Sequence, residues 1–229
     1  MPNHTQNNIT ILCSNKSLLQ QIEKGFRNHD LMKTFRPMPS ELDHSVSGSE
    51  NLKPEWQKEQ SKDLIKKYGH DNWYDWCYEN WGTKWDVYNS DEPQTRYDSR
   101  ITQRLEFSNG TNKKEKIYQL EISFNTAWSP PFNFFHYLTD KYNEISQINL
   151  NFLDEGWMFI GTAEWIRHSQ EEDVEYSEYA HTEIDKFIER FENREEGEVY
   201  YNSFADEMLY KEFQQEIEEY KECLFEDEG

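Results

Sequence analysis

The sequence predicts an α+β fold with the order strand, helix, strand, strand, helix, strand, and three observations carry the prediction. Short segments alternate apolar and polar residues with the period of two that a half-buried strand requires. Between them, Leu18, Leu19, Ile22 and Phe26, and later Phe134, Phe135, Leu138 and Tyr142, recur with the spacing of one helical face. Aromatic residues make up 16% of a chain that is only 35% hydrophobic, so large rings must supply most of the buried apolar area.

In chain order, Asn8–Cys13 (NITILC) is β-branched and reads as the first strand, and Ser14 or Ser17 can cap the helix that follows. Pro37, Pro39 and Gly48 keep the next segment irregular. Pro54 suits a first helical position, and Leu64, Ile65 and Tyr68 give that helix a small apolar face ending at Gly69. The stretch Asp71–Tyr88 holds four of the eight tryptophans. It reads as a helix capped by Asp71 and stopped at Gly82, then a strand over Lys84–Val87 that puts Trp85 in the core. Ile101–Ser108 and Ile117–Phe124 read as a hairpin turned at Asn109-Gly110. Pro130 and Pro131 open the second periodic helix, and Ser146–Asp154 with Trp157–Arg167 form a closing hairpin at Glu155-Gly156. This is the ferredoxin-like βαββαβ order, with a Trp-rich helical insertion over about residues 43–100 and one extra strand.

Past residue 170 the pattern changes. Ile184, Phe187, Ile188 and Phe191 stand at helical spacing behind Thr182 and Asp185 in capping order. Ser203 and Asp206 repeat that order before Leu209, Phe213, Ile217, Tyr220 and Leu224. From Glu171 to Gly229 there are 22 acidic and 5 basic residues, against 23 and 19 before it. The division expected is a ferredoxin-like domain over 1–170 and an acidic helical extension over 171–229, whose apolar stripes need a surface to cover them.

Two tryptophan motifs carry a resemblance. Asn80–Val87 (NWGTKWDV) and Phe124–Pro131 (FNTAWSPP) resemble the paired motifs of the YubB-like proteins of phages and plasmids. ILCSNKSLLQQIEKGF near the start and FRPMPSEL at Phe35–Leu42 fit the same family, so the similarity spans roughly residues 8–165. The resemblance implies a ferredoxin-like domain of a mobile-element protein and brings no established reaction with it.

A formal net charge of −21 repels phosphate backbones and disfavours direct nucleic-acid binding. Cys13, Cys77 and Cys223 have neither disulfide-framework nor metal-knuckle spacing, and no segment carries the apolar run of a leader or a spanning helix. A cytoplasmic protein of a bacterial host is therefore expected, without cofactor or metal. Glu178 and His181 have E-x-x-H spacing, which on a helix puts both on one face, but a carboxylate-bridged metal site needs a second copy. Phosphate-cradling loops and nucleophile elbows are missing from the sequence, and so is the aromatic signature of RNA-recognition sheets, although Trp157 and Trp165 offer rings on a strand.

Two surfaces remain as candidates. Glu171, Glu172, Asp173, Glu175 and Glu178 would face a partner with a basic surface, a host or mobile-element protein toward which the chain imitates nucleic acid. Trp81, Lys84, Asp86 and Trp128 would line a groove, with Lys84 and Asp86 sharing one strand face. The expected function is that of a non-enzymatic interaction protein. An enzyme with a Trp-lined cleft and an RNA-binding sheet module are the alternatives.

Overall fold

A computed structural model describes residues 3–43, 45, 54–88, 94–96, 102–106, 112–167, 173–192 and 203–226. The first strand, β1 (His4–Cys13), leads to α1 (Lys16–Asn28), capped by the Asn15 side chain rather than by a serine. A short α2 (Leu31–Phe35) follows, and α3 (Glu55–Tyr68) and the Trp-rich α4 (Trp73–Trp81) lie in the insertion. Gly69 and Gly82, at φ of 81° and 82°, end α3 and α4 as expected, because a left-handed residue after a helix carries no Cβ penalty when it is glycine. The cap of α4 is Asn72, which accepts from the Asp75 amide, and not Asp71.

Several strands depart from expectation. Lys84–Val87 is not a strand; one isolated bridge at Tyr88 with Asn125 attaches this segment to the sheet. The short strands β2 (Gln94–Arg96), β3 (Thr102–Glu106) and β4 (Asn112–Lys116) precede β5 (Tyr118–Ala127). The expected pairing of Ile101–Ser108 with Ile117–Phe124 does not form: β3 pairs with β4, while β5 pairs with β1 and β2. Asn109-Gly110 lies outside the described residues.

After α5 (Phe132–Lys141), β6 (Ile145–Asp154) and β7 (Ile160–Arg167) make the expected hairpin, and β8 (Val174–His181) adds a strand. Helices α6 (Ile184–Glu192), α7 (Ser203–Glu212) and α8 (Gln214–Glu226) close the described chain. The antiparallel six-stranded sheet runs β2-β5-β1-β6-β7-β8, which is the ferredoxin-like order extended by β7 and β8 at one edge.

Register gives the sheet two different faces. Ile9 and Ile11 lie opposite Ile122 and Leu120 on one side and Leu150 and Ile148 on the other, forming the inner face. Trp165 extends that face through its pairing with Ile148, and α1, α4 and α5 cover it with Leu19, Ile22, Phe26, Trp76, Trp81, Phe134, Phe135 and Leu138. Gln6, Asn8, Thr10, Ser123, Asn149, Asn151 and Thr162 alternate onto the outer face. At one end of that outer face Leu153 pairs with Ile160, and both are buried by Phe187, Ile188, Leu209, Phe213 and Ile217. The C-terminal helices therefore dock on the sheet of their own chain, and the sheet continues through β8 past the point where the acidity begins.

Candidate functional site

The two tryptophan motifs, 44 to 47 residues apart, lock together where α4 ends and α5 begins. Thr83 is fully buried; its hydroxyl donates to the Ala127 carbonyl at 2.9 Å and accepts from the Ala127 amide at 3.2 Å. Ser129 Oγ donates to the Gly82 carbonyl at 2.6 Å. Asn133 Nδ2 donates to the carbonyls of Tyr78 and Glu79 at the end of α4, where the Tyr78 carbonyl also accepts from the Gly82 amide at 3.0 Å.

The four groove candidates separate. Trp81 is buried, with Nε1 donating to the Arg36 carbonyl at 2.9 Å. Asp86 is also buried and accepts from the amides of Met32, Lys33 and Val87, each at 2.9 Å, so it caps α2 and faces no solvent. Burial pushes its carboxyl above the ordinary range, and those backbone donors oppose the rise. Lys84 and Trp128 do come together at the surface, joined by Trp85 and Tyr74. Trp85, expected in the core, is 37% exposed, because the chain leaves Gly82 as an irregular segment that turns Asp86 inward instead.

That surface is a rim of rings. Tyr74 meets Tyr78 at 5.6 Å and Trp128 at 6.0 Å between centroids. Trp85 meets Tyr88 at 6.4 Å, and Tyr88 meets His4 at 5.2 Å. Burial, with Glu155 adding to it, pushes the Tyr88 phenol up to about 12. Composition alone did not single out Tyr74 or Trp85 for this role; an excess of aromatics near a lysine was the available signal.

The acidic candidates are also redistributed. Glu171 and Glu172 lie outside the described residues, and Asp173 precedes β8. On β8, Glu175 pairs with Ile166 and Glu178 with Ala163, three residues apart and therefore on opposite faces. Glu178 accepts from the Tyr176 hydroxyl at 2.7 Å on the side of Trp165. The E-x-x-H pair is likewise split, since a strand and not a helix carries Glu178 and His181. His181 Nε2 instead meets Asp206 at 2.7 Å, joining β8 to α7, and the Tyr179 hydroxyl donates to the same oxygen.

The ordered acidic surface is built by α7 and α8. Their apolar sides are consumed by the Leu153–Ile160 pair, which leaves Glu207, Glu212, Glu216, Glu218, Glu219 and Glu222 on the remaining sides. Gln6 and Asn8 of β1 donate to Glu216 and Glu212 at 2.9 Å, fixing the helices at the sheet. Beneath α7 lies an open cleft of about 760 Å³ over the outer face, lined by Asn8, Thr10, Asn149, Asn151, Glu164 and Glu212 among others. Trp165 is fully buried on the opposite face and Trp157 is stacked on Tyr220 at 4.3 Å, so neither offers a platform for bases there. Among the described residues no group of three or more His, Cys, Asp or Glu side chains converges to hold a metal, and no helix is long and apolar enough to cross a membrane.

Residues 106–201 match the family model described as a ferredoxin-like domain in Api92-like protein, a span running from the end of β3 past α6. The match bears on the fold. No curated protein and no solved structure matches the chain.

Proposed function

We propose that this is a non-enzymatic interaction protein that binds a basic protein surface through the carboxylates of α7 and α8, in competition with nucleic acid. One observation carries the reading: Leu209, Phe213 and Ile217 are fully buried, so the acids on these helices are held in fixed positions and do not form a loose tail. Duplex DNA presents one negative charge per about 1.7 Å of axis, and a partner that reads such a density needs ordered, not merely abundant, charge. The uneven balance of 22 acidic to 5 basic residues after position 170 supports the same reading. The resemblance of Asn80–Val87 and Phe124–Pro131 to YubB-like proteins supports a setting in a phage or plasmid, with a host defence or regulatory protein as the partner. Inside that host the protein acts in the cytoplasm.

The enzyme reading loses support from the burial of Trp81 and Asp86, whose polar atoms are spent on backbone groups. The RNA reading loses it from the burial of Trp165 and the carboxylates along the outer-face cleft.

The test is affinity capture from a bacterial host lysate, followed by a salt series on the purified pair. Binding should weaken steeply with salt, since exposed charges are screened beyond about 8–10 Å at physiological ionic strength. Glu218, Glu219 and Glu222 changed together to Gln should lower the association rate without changing the melting temperature. Duplex DNA should compete. A partner indifferent to salt and to the three neutralisations, and able to hold DNA at the same time, sinks the proposal.

A further inference from the structure

We infer that Tyr74, Trp85 and Trp128 form a cage for a quaternary ammonium group, and that Lys84 of the same chain fills it when no ligand is bound. The Lys84 ammonium lies 4.6 Å from the centroid of Trp128, 4.9 Å from Trp85 and 6.0 Å from Tyr74. Each ring face carries the negative lobe of its quadrupole, so three rings around one point make a cation site without any carboxylate. The choice of rings is informative because carboxylates are abundant: the chain has 45 acidic residues, yet among the described residues none lies within ion-pair distance of Lys84.

The walls are built and open. Tyr74 stands on α4, and its ring meets that of Trp128 at 70°. Trp85 and Trp128 are 37% and 36% exposed, so the mouth faces solvent. Trp128 has φ of 71°, a conformation a bulky residue adopts only under constraint from its surroundings. Its amide donates to the Asn3 carbonyl at 3.0 Å, and the next residue is fixed twice, by Thr126 Oγ1 donating to its carbonyl at 2.8 Å and by its own hydroxyl on Gly82. A strained backbone thus holds a large ring at the surface with 36% of it open to solvent. Presenting that open part to a ligand accounts for the arrangement.

Chemistry selects the ligand. Lys84 is tethered beside the rings and competes at high effective concentration, so a second primary ammonium has no advantage over it. A lysine ammonium is a compact, strongly hydrated charge whose N–H groups lose water on entering the cage. A trimethylammonium group has no N–H to leave unpaired and spreads its charge over methyl groups that pack against ring faces. It can displace Lys84 into water, whereas lysine cannot. The head group can come from a small choline-like molecule or from a trimethylated lysine of a polypeptide. This inference does not depend on the acidic surface of α7 and α8.

The test follows saturable quenching of tryptophan emission in the full-length chain on adding choline, a peptide bearing trimethyl-lysine, the same peptide with unmodified lysine, and 3,3-dimethylbutanol, the neutral carbon isostere of choline. A trimethylammonium probe should bind, and the unmodified peptide and the isostere should not. Lys84→Ala should tighten binding about tenfold by removing the competitor, the scale of a cation–π contact at a partly desolvated site. Trp85→Ala and, separately, Trp128→Ala should abolish it, while the cooperative unfolding transition of each variant shows that the chain is still folded. Tighter binding of choline than of the methylated peptide assigns a small-molecule ligand, and the reverse assigns a protein modification. No saturable binding in either the natural chain or Lys84→Ala, equal binding of the neutral isostere, or weaker binding in Lys84→Ala would each overturn the inference.

Discussion

Ser129 Oγ and the Gly82 carbonyl, 2.6 Å apart across 47 residues of chain, join the end of α4 to the start of α5. The fit around Gly82 is tight for a side chain: a Cβ there would lie 3.1 Å from the Phe132 amide nitrogen and 3.2 Å from that of Asn133. Gly82→Ala should therefore cost more than the ~1 kcal/mol expected from its positive φ alone. Gly69, at almost the same φ of 81° but with nothing within 4 Å of its hypothetical Cβ, is the internal control. Urea midpoints of the two alanine variants should differ, with Gly82→Ala the lower, and equal midpoints would mean that the motifs are not tightly docked.

Trp81 and Trp85 should behave oppositely. Trp81→Ala removes a buried ring that packs on Trp76 at 5.6 Å and strands the Arg36 carbonyl, so a loss of about 3–5 kcal/mol is expected. Trp85→Ala removes a ring that is 37% exposed and should cost clearly less than Trp81→Ala. Thermal or denaturant unfolding of the two variants side by side decides it.

The contrast between these two tryptophans marks the limit of what the sequence could reveal. Elements set by local chemistry were legible: the alternation in β1, the Leu18–Phe26 stripe of α1, the proline entry to α5, and Gly69 and Gly82 as helix stops. Elements set by distant partners were not. Val174–His181 has acids on both faces and no alternation; it becomes a strand because β7 offers it an edge and Trp165 lies opposite Tyr176. The partner of β3 is not legible because β5 alternates well enough to pair with several neighbours, and its register with β1 settles which. The cage depends on positions 74, 84, 85 and 128 converging, and no window of sequence contains them all.

His136 should make stability fall on mild acidification. Its Nδ1 accepts from Trp165 Nε1 at 3.0 Å, and burial holds its imidazole below its ordinary pKa, with Asp140 and Glu178 partly opposing. The folded chain thus keeps His136 neutral where the unfolded chain, at about 6.5, takes up a proton. Stability from this group is complete above that value and is lost as pH drops toward the lower folded-state pKa. His136→Gln keeps an acceptor for Trp165 and has nothing to titrate. Denaturant midpoints measured from roughly pH 7 to pH 5 should fall more steeply for the natural chain than for the variant.

The Leu153–Ile160 pair should decide whether the acidic helices stay attached. Both side chains are almost fully buried, and what buries them is Phe187, Leu209, Phe213 and Ile217, not the main core. Leu153→Asp places a carboxylate in that small cluster with no cationic partner, so docking should be lost while the inner face keeps Trp81, Trp165 and their neighbours. Proteolysis should then cut within α7 and α8, and their amides should exchange rapidly, while those of β1, β5 and β6 stay protected. Freed helices carry the same charge without fixed positions, which separates order from charge. If binding to the proposed basic partner needs ordered carboxylates, Leu153→Asp should weaken it even though the mutation adds a negative charge. Undiminished binding by the released helices would show that net field alone attracts the partner.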